Sequence, residues 1–565
     1  MTDLASRQDH LLFADTLIEI ERRINVNEIT LDGVHLWPMI RLELGRPLKR
    51  PDPEEGPPVR RSAGAASKEA AVPGQGFFST LMGRLGGRVG LGRAEPPKGA
   101  KFPATAEARK VGRQAYRARL REELENGPAL LEAQRERWRA AGPLDFAVLS
   151  KVEKYYATRD GKRYAPITDP VYEDLCRRGR TVALAQEPLG FECVHEPLRF
   201  DVELHMLLNK RTRTEFPGRV EQQIGEINRL LKEIAPQIKL DTRHFVNRYE
   251  RNLRKRAFFH DMFSVLRPKV VFESSYTGWT PAIWACRELG IQVVDIQHGG
   301  QGPTHYPTTH WTDVPPEGYA FLPDFFWVWG EPIRRFIDPW LPGGSIRHVP
   351  VVGGNRNLAK WKRDRAEGHL GTKDLAFLER LAGQGRFIVL VTLSYAVEDI
   401  LPDSIVEAIG ATPDWLWLIR LHPIHRGTDV QKEIRERLRR HIDSSNYEID
   451  EPTDVSLHTA LAACDSHVTP FSTACREALA IGVPTTICHP LGGNFFAEEI
   501  ESGLYSYAVC ADELAKTIDA SSRSAEAEKT EVQIETRDEA VDAVLKQVLA
   551  AWERDNPDTS VAPAR

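Results

Sequence analysis

From Leu144 onward the chain repeats one pattern, a run of unbroken apolar residues followed by a turn and an amphipathic helix. That rhythm narrows the choice of fold more than any other feature. The apolar runs are LDFAVLS (144–150), TVALAQ (181–186), KVVFESS (269–275), IQVVDIQHG (291–299), FFWVWG (325–330) and IRHVPVVG (346–353). Helical stretches lie between them, such as PVYEDLCRRG, which ends on a glycine, and TPAIWACRELG. Strands that are apolar along their whole length are buried on both faces, which implies a parallel sheet covered by helices on each side. The pattern restarts at RFIVLVTLS (386–394). It continues through WLWLIRLHP (415–423), NYEID (446–450), DSHVTP (465–470), VPTTICHP (483–490) and a short strand near 505–509. The expected architecture is α/β, with two Rossmann-like, doubly wound domains facing a cleft.

The divisions follow from composition. Residues 1–50 form a small helical segment built on LLFADTLIEIERRI, expected to pack on something larger. Residues 51–110 are rich in Pro, Gly and Arg and read as a disordered linker. Residues 111–355 are the first Rossmann-like domain, 356–553 the second, and 554–565 a polar tail, with the hinge at VGGNRN (352–357). Within the linker, Phe77 to Arg93 mixes apolar residues with arginines and carries no acid. It reads either as a peripheral contact with an anionic membrane or as plain basic linker.

The whole chain has 75 Lys+Arg against 80 Asp+Glu, a net charge of −5, which gives no support to a nucleic-acid binder. Seven scattered cysteines without a C-x-x-C pair fit neither a disulfide framework nor a zinc knuckle, and point to a reducing cytoplasm. The longest apolar stretch, Phe387 to Val397, falls short of the roughly 20 residues a bilayer requires. The opening MTDLASRQDH lacks the apolar core of a secretory signal. The expected location is cytoplasmic, with any membrane contact peripheral at the inner face.

In doubly wound sheets, ligands bind beyond the carboxyl ends of the strands. In the second domain, WLWLIRLHP ends in Arg420, His422 and Pro423, where His422 can donate to a phosphate oxygen. Ser472 and Thr473 fall at the start of a helix, where free N–H groups and hydroxyls suit a phosphate. Glu477 follows one turn later on the same face, placed to accept ribose hydroxyls. Gly492, Gly493 and Asn494 open the next helix, a further place for an anion or a sugar hydroxyl. Together these strand ends point to a nucleotide.

In the first domain, VVDIQHG ends in Gln297, His298, Gly299 and Gly300. His298 is a candidate general base, with an ordinary pKa near ~6.5. Glu273, near the end of the neighbouring strand, is a candidate either to orient His298 or to be the base itself. The histidines at 298, 305 and 310 have no zinc-site spacing, so neither a metal nor any other cofactor is expected.

Leu421-His422-Pro423 and Phe471-Ser472-Thr473, with VVDIQHGG, resemble motifs of two-Rossmann "GT-B" glycosyltransferases. More narrowly, they resemble bacterial capsule and surface polysaccharide transferases, among them Kdo- and sialyl-transferases. The resemblance covers roughly 144–520. It implies transfer of a sugar from a nucleotide-sugar donor, often CMP-activated, to a glycan or lipid-linked acceptor. The donor would sit in the C-terminal domain and the acceptor in the N-terminal one. The acidic Asp/Glu-Asp/Glu-Gly base of histidine-proline sialyltransferases has its only counterpart in Glu54-Glu55-Gly56, inside the linker. The base therefore stays open between His298 and Glu273. VVGGN (351–355) resembles the hinge of UDP-N-acetylglucosamine 2-epimerases, which supplies a second reading. A non-catalytic nucleotide-sugar-binding protein is the third.

Overall fold

The structure is a computed structural model that describes residues 7–45, 116, 118, 124–152, 156–159, 161–187, 189–209, 217–302, 305–341, 345–394, 399–442, 446–524 and 534–557. The expected linker 51–110, its stretch 77–93 and the end of the tail lie outside the described residues.

The first sheet has seven strands, β1 (Leu144–Leu149), β2 (Thr181–Gln186), β3 (Leu198–Phe200), β4 (Pro268–Ser274), β5 (Gln292–Ile296), β6 (Phe325–Val328) and β7 (Val349–Val352). Their order is β7-β6-β5-β4-β1-β2-β3, and every pairing is parallel. The second sheet has six, β8 (Ile388–Thr392), β9 (Leu416–Arg420), β10 (Tyr447–Glu448), β11 (Ser466–Thr469), β12 (Thr485–Ile487) and β13 (Ser506–Tyr507). Their order is β10-β9-β8-β11-β12-β13, again all parallel. Each sheet starts at its centre, winds outward, and then returns to the other side of its first strand. The crevices where the winding reverses lie between β1 and β4 and between β8 and β11. The two doubly wound domains expected from the apolar rhythm are both present.

Ten helices matter below: α1 (Arg7–Arg23), α2 (Trp37–Leu44), α3 (Asp169–Cys176), α4 (Thr242–Leu266), α5 (Thr280–Glu288), α6 (Arg356–Ala366), α7 (Leu457–Ala462), α8 (Ala474–Ile481), α9 (Pro490–Phe495) and α10 (Asp538–Asp555). On one face of the first sheet, Ala147, Val271, Val293 and Phe326 pack against Phe259 and Phe263 of α4 and Ile283 of α5. The same core takes in Phe13, Leu17 and Ile20 of α1 and Trp37 and Ile40 of α2, so the N-terminal segment is built into the first unit. On the other face, Val148, Phe272, Val294 and Trp327 pack against Val171 and Leu175 of α3 and Val544 and Val548 of α10. Strand residues alternate between the two cores, and each core is apolar.

The final helix, expected within the second domain, therefore belongs to the first. The chain crosses between units twice. Gly354 carries a φ of +81°, and a Cβ there would stand 2.1 Å from the Glu535 carbonyl oxygen. Glycine is the residue that tolerates both demands. Beside it the Asn355 N–H donates to the Glu535 carbonyl (3.0 Å), while the Glu535 N–H donates to the Trp329 carbonyl (2.8 Å). Buried Arg356 joins both crossings, donating to Asp174 of α3 (2.5 Å) and to the carbonyls of Thr536 and Arg537 (3.0 Å each). No helix among the described residues is long and apolar enough to cross a membrane.

Candidate functional site

At the reversal of the second sheet, buried His467 on β11 ties three strands together. Its ring nitrogens reach Thr392 on β8 (2.8 Å) and Thr485 on β12 (3.0 Å), and burial lowers its pKa to about 3. The Thr469 hydroxyl donates to the Thr392 carbonyl (2.8 Å). From this braced strand end the chain runs through Pro470 to Thr473 and enters α8. Thr473 is the N-cap residue, and its side chain makes no capping hydrogen bond. The Ser472 hydroxyl accepts from the Ala474 N–H at 3.3 Å. Backbone N–H groups at such a helix start favour an anion.

Glu477 lies one turn into α8 and is nearly buried. Its Oε1 is within hydrogen-bond distance of His458 Nε2 of α7 (2.7 Å) and accepts from Asn355 Nδ2 of the crossing (3.1 Å). Its Oε2 takes part in none of the described hydrogen bonds, so the carboxylate is fixed by one oxygen and offers the other.

Arg420 ends β9, and His422 lies two residues beyond it. The Arg420 guanidinium donates to the carbonyls of Val455 (2.8 Å) and Pro452, and burial pulls its pKa down to about 9. It braces the loop before α7. His422 is half-buried, and burial, then His425 and Arg420, lower its pKa to about 3. It is neutral at pH 7, which makes it a neutral hydrogen-bonding partner for a phosphate. Gly492 and Gly493 lie inside α9, whose N-cap is His489. Asn494 is exposed on that short helix.

In the first unit, half-buried His298 leaves β5 beside Gln297. The Gln297 amide accepts from the Trp329 N–H (2.7 Å) and donates to the Gly299 carbonyl (3.0 Å), so this side chain shapes the loop. Glu273 does not bond to His298. It is fully buried and faces Asp295 in register across β4 and β5. Neither Glu273 oxygen makes a hydrogen bond. Asp295 Oδ1 accepts from the Tyr276 N–H at 3.2 Å. Burial raises both carboxyls above their ordinary range, and the Asp295 charge adds to the rise at Glu273. Lys151, just beyond β1, opposes both shifts; its Nζ donates to the Ser275 carbonyl at 3.1 Å. Facing carboxylates repel, so each disfavours ionisation of the other.

The two halves meet at the loop after β5. A Cβ on Gly300 would stand 3.2 Å from Thr473 Cγ2 and 3.4 Å from the Phe495 ring. Arg476 of α8 donates to the Gln301 carbonyl (3.3 Å) and to Glu499 (3.2 Å). The structure thus brings the Gln-His-Gly-Gly loop against the Ser472-Thr473 helix start. His305 Nδ1 meets the Thr308 hydroxyl at 2.7 Å, while the His310 ring lies 4.3 Å from that of Trp340. Among the described residues, no group of three or more His, Cys, Asp or Glu side chains could hold a metal ion.

Sequence reasoning missed Lys151, Asp295, Asn355 and Arg476. Two of these carried a signal. Lys151 directly follows the apolar run LDFAVLS, and Asp295 is an acid inside an apolar strand.

No family model matches the chain, and no curated protein matches it. Solved structures do. The UDP-GlcNAc 2-epimerase of Neisseria meningitidis, bound to UDP-GlcNAc, is 14% identical, with 72% of this chain and 99% of that one covered and a TM-score of 0.43. The UDP-GlcNAc 2-epimerase of Methanocaldococcus jannaschii is 12% identical, with 71% and 99% covered and a TM-score of 0.43. A UGT transferase of Siraitia grosvenorii in complex with UDP is 10% identical, with 72% and 99% covered and a TM-score of 0.37. With identities this low and TM-scores below 0.5, the fold stands on its own strand order.

Proposed function

We propose that this protein is a glycosyltransferase that moves a sugar from a nucleotide donor, held by the second unit, to a glycan or lipid-linked acceptor presented by the first. One observation carries the reading. Glu477 is held by one oxygen and offers the other, one turn beyond a helix start that faces a histidine-bearing loop of the opposite unit. In this reading the α8 N–H groups and the Ser472 and Thr473 hydroxyls bind the donor phosphate, with His422 as a neutral donor beside them. Glu477 Oε2 accepts a ribose hydroxyl. His298 takes the proton of the acceptor hydroxyl. The acceptor oxygen then bonds to the anomeric carbon, and the bond from that carbon to the phosphate oxygen breaks. The nucleotide leaves with the electron pair, its charge offset by the helix start.

A second reading is a UDP-GlcNAc 2-epimerase-like activity. The observation favouring it is the Glu273–Asp295 pair, two facing carboxyls in the first unit that burial raises above their ordinary range. A non-catalytic nucleotide-sugar-binding protein is the remaining alternative.

Calorimetric titration with CMP, UMP, UDP and the free nucleosides tests the donor site. Glu477→Ala should weaken nucleosides and nucleotides alike. His422→Ala should weaken only the nucleotides, by about fivefold, because a neutral hydrogen bond is worth roughly 1 kcal/mol. Absence of nucleotide binding by the wild type would reject the assignment. Incubation with CMP-, UDP- and GDP-sugars then separates the three readings. A transferase requires the acceptor, an epimerase converts the sugar without one, and a binding protein leaves it unchanged.

A further inference from the structure

The N-terminal segment brings a buried ion pair to the loop that carries His298. Arg41 of α2 and Glu21 of α1 are 2.6 Å apart, and each side chain is 1% exposed. Arg41 donates to the carbonyls of His310 (2.7 Å), Thr309 (2.9 Å) and Tyr306 (3.0 Å), and its guanidinium lies 3.8 Å from the centre of the Trp311 ring. The second Glu21 oxygen accepts from the N–H of Thr312 (2.7 Å) and from its hydroxyl, while the first also accepts from Trp37 Nε1 (2.7 Å). Two side chains from residues 7–45 thus hold the backbone of Tyr306 to Thr312 on both sides. Three carbonyls that converge on one planar, five-donor group match a guanidinium, and an ammonium cannot span them.

This grip completes a set. Upstream of His298, the Gln297 amide is tied to Trp329. In the middle, the Gln301 carbonyl is tied to Arg476. Downstream, the Tyr276 hydroxyl donates to the Pro307 carbonyl (2.6 Å), and that tyrosine's N–H donates to Asp295. Helix α1 also packs against α9, the short helix of the second unit that carries Asn494. The segment therefore touches both units.

We propose that residues 7–45 are a positioning element for the His298 loop, with Arg41 and Glu21 as its positioning residues. This rests on reading that loop as the acceptor side of the site. The Arg41–Glu21 pair sets where residues 306–312 lie, and so fixes the downstream anchor of the segment that presents His298. The N-terminal segment acts on turnover through loop geometry and leaves donor affinity alone.

The test uses the full chain with Arg41→Met, Arg41→Lys and the double variant Glu21→Gln/Arg41→Met. The double variant removes the carboxylate that the single change leaves buried and unpaired, so it recovers melting temperature. Hydrogen exchange should show the amides of 305–312 exchanging at least about tenfold faster in all three, while β4 and β8 keep their protection. Turnover of whichever nucleotide sugar the wild type consumes should fall by about ten- to a hundredfold, with the Kd for UDP or CMP unchanged within about twofold. Faster exchange spread evenly over the first unit would overturn the proposal. So would a double variant with wild-type protection at 305–312, or turnover and nucleotide affinity falling together. A wild type that binds no nucleotide defeats the functional reading, and the exchange measurement still decides this one.

Discussion

Glu273 and Asp295 face each other in register, and burial raises both carboxyls, which sets a pH dependence of known sign. Folding raises both carboxyls above their ordinary range near ~4. A group with a raised folded pKa contributes stability that is whole below its unfolded value and is lost as pH rises through the folded one. Glu273→Gln removes one acid and leaves the partner an amide to bond. Its melting temperature should therefore exceed that of the wild type at pH 8, by the equivalent of about 1–3 kcal/mol, and the gap should close toward pH 4.5. Scanning fluorimetry at pH 4.5, 6 and 8 measures this, and parallel curves would dismiss the raised carboxyl. The sequence placed Glu273 beside His298 because both stand near strand ends. It could not show which way Glu273 points. In a strand apolar on both sides, no alternation marks the two faces, so the pairing with Asp295 emerges only from the register. The place of Ser472 and Thr473 before α8, with Glu477 one turn into it, was legible because a helix start after a parallel strand announces itself locally. The contacts of Glu477 with Asn355 and His458 span 122 and 19 residues and left no local mark.

At the scale of the element, α9 shows why Gly492-Gly493-Asn494 read as a helix opening when it lies inside the helix. The six-residue helix presses on the exit of β11. A Cβ on Gly492 would stand 2.2 Å from the Pro470 carbonyl oxygen, so an alanine there must move backbone. The atoms nearest a Cβ on Gly493 belong to the Tyr507 ring, a side chain that is 42% exposed and so has room on its solvent side. Gly492→Ala should therefore cost about 1–3 kcal/mol, the usual price of overpacking, and Gly493→Ala less than about 1 kcal/mol. Chemical denaturation of the two variants reads the difference. Because Pro470 lies two residues before Ser472, Gly492→Ala should also weaken nucleotide binding, whereas Gly493→Ala should not. Equal losses in the two variants would show that α9 can slide freely. Sequence alone names glycines as turn formers, and a close approach between distant segments is visible only in three dimensions.

Across the whole molecule, the two doubly wound units were legible because buried parallel strands print as unbroken apolar runs, and the restart near 386 divides them. The return of α10 to the first sheet was not, since an amphipathic helix looks the same whichever core it covers. Val541, Val544, Leu545 and Val548 are buried there against β1, β4, β5 and β6. Burying four such side chains contributes on the order of 6–12 kcal/mol, comparable with the whole stability of a domain. A chain ending at residue 533 should therefore lose the fixed packing of its first unit, seen as a collapsed near-ultraviolet circular dichroism signal. An unchanged spectrum would refute this. The same arrangement has a consequence for synthesis. A ribosome that has finished β7 must add about 200 more residues before α10 emerges, roughly 10–40 s at ordinary speeds. For that interval the part of one sheet face that α10 covers stands bare, with only α3 packed on that side, while the second unit, continuous in sequence, can close on its own. The half of the protein that is made first is completed last, which makes the nascent chain a natural client for a chaperone that shields exposed sheet surface.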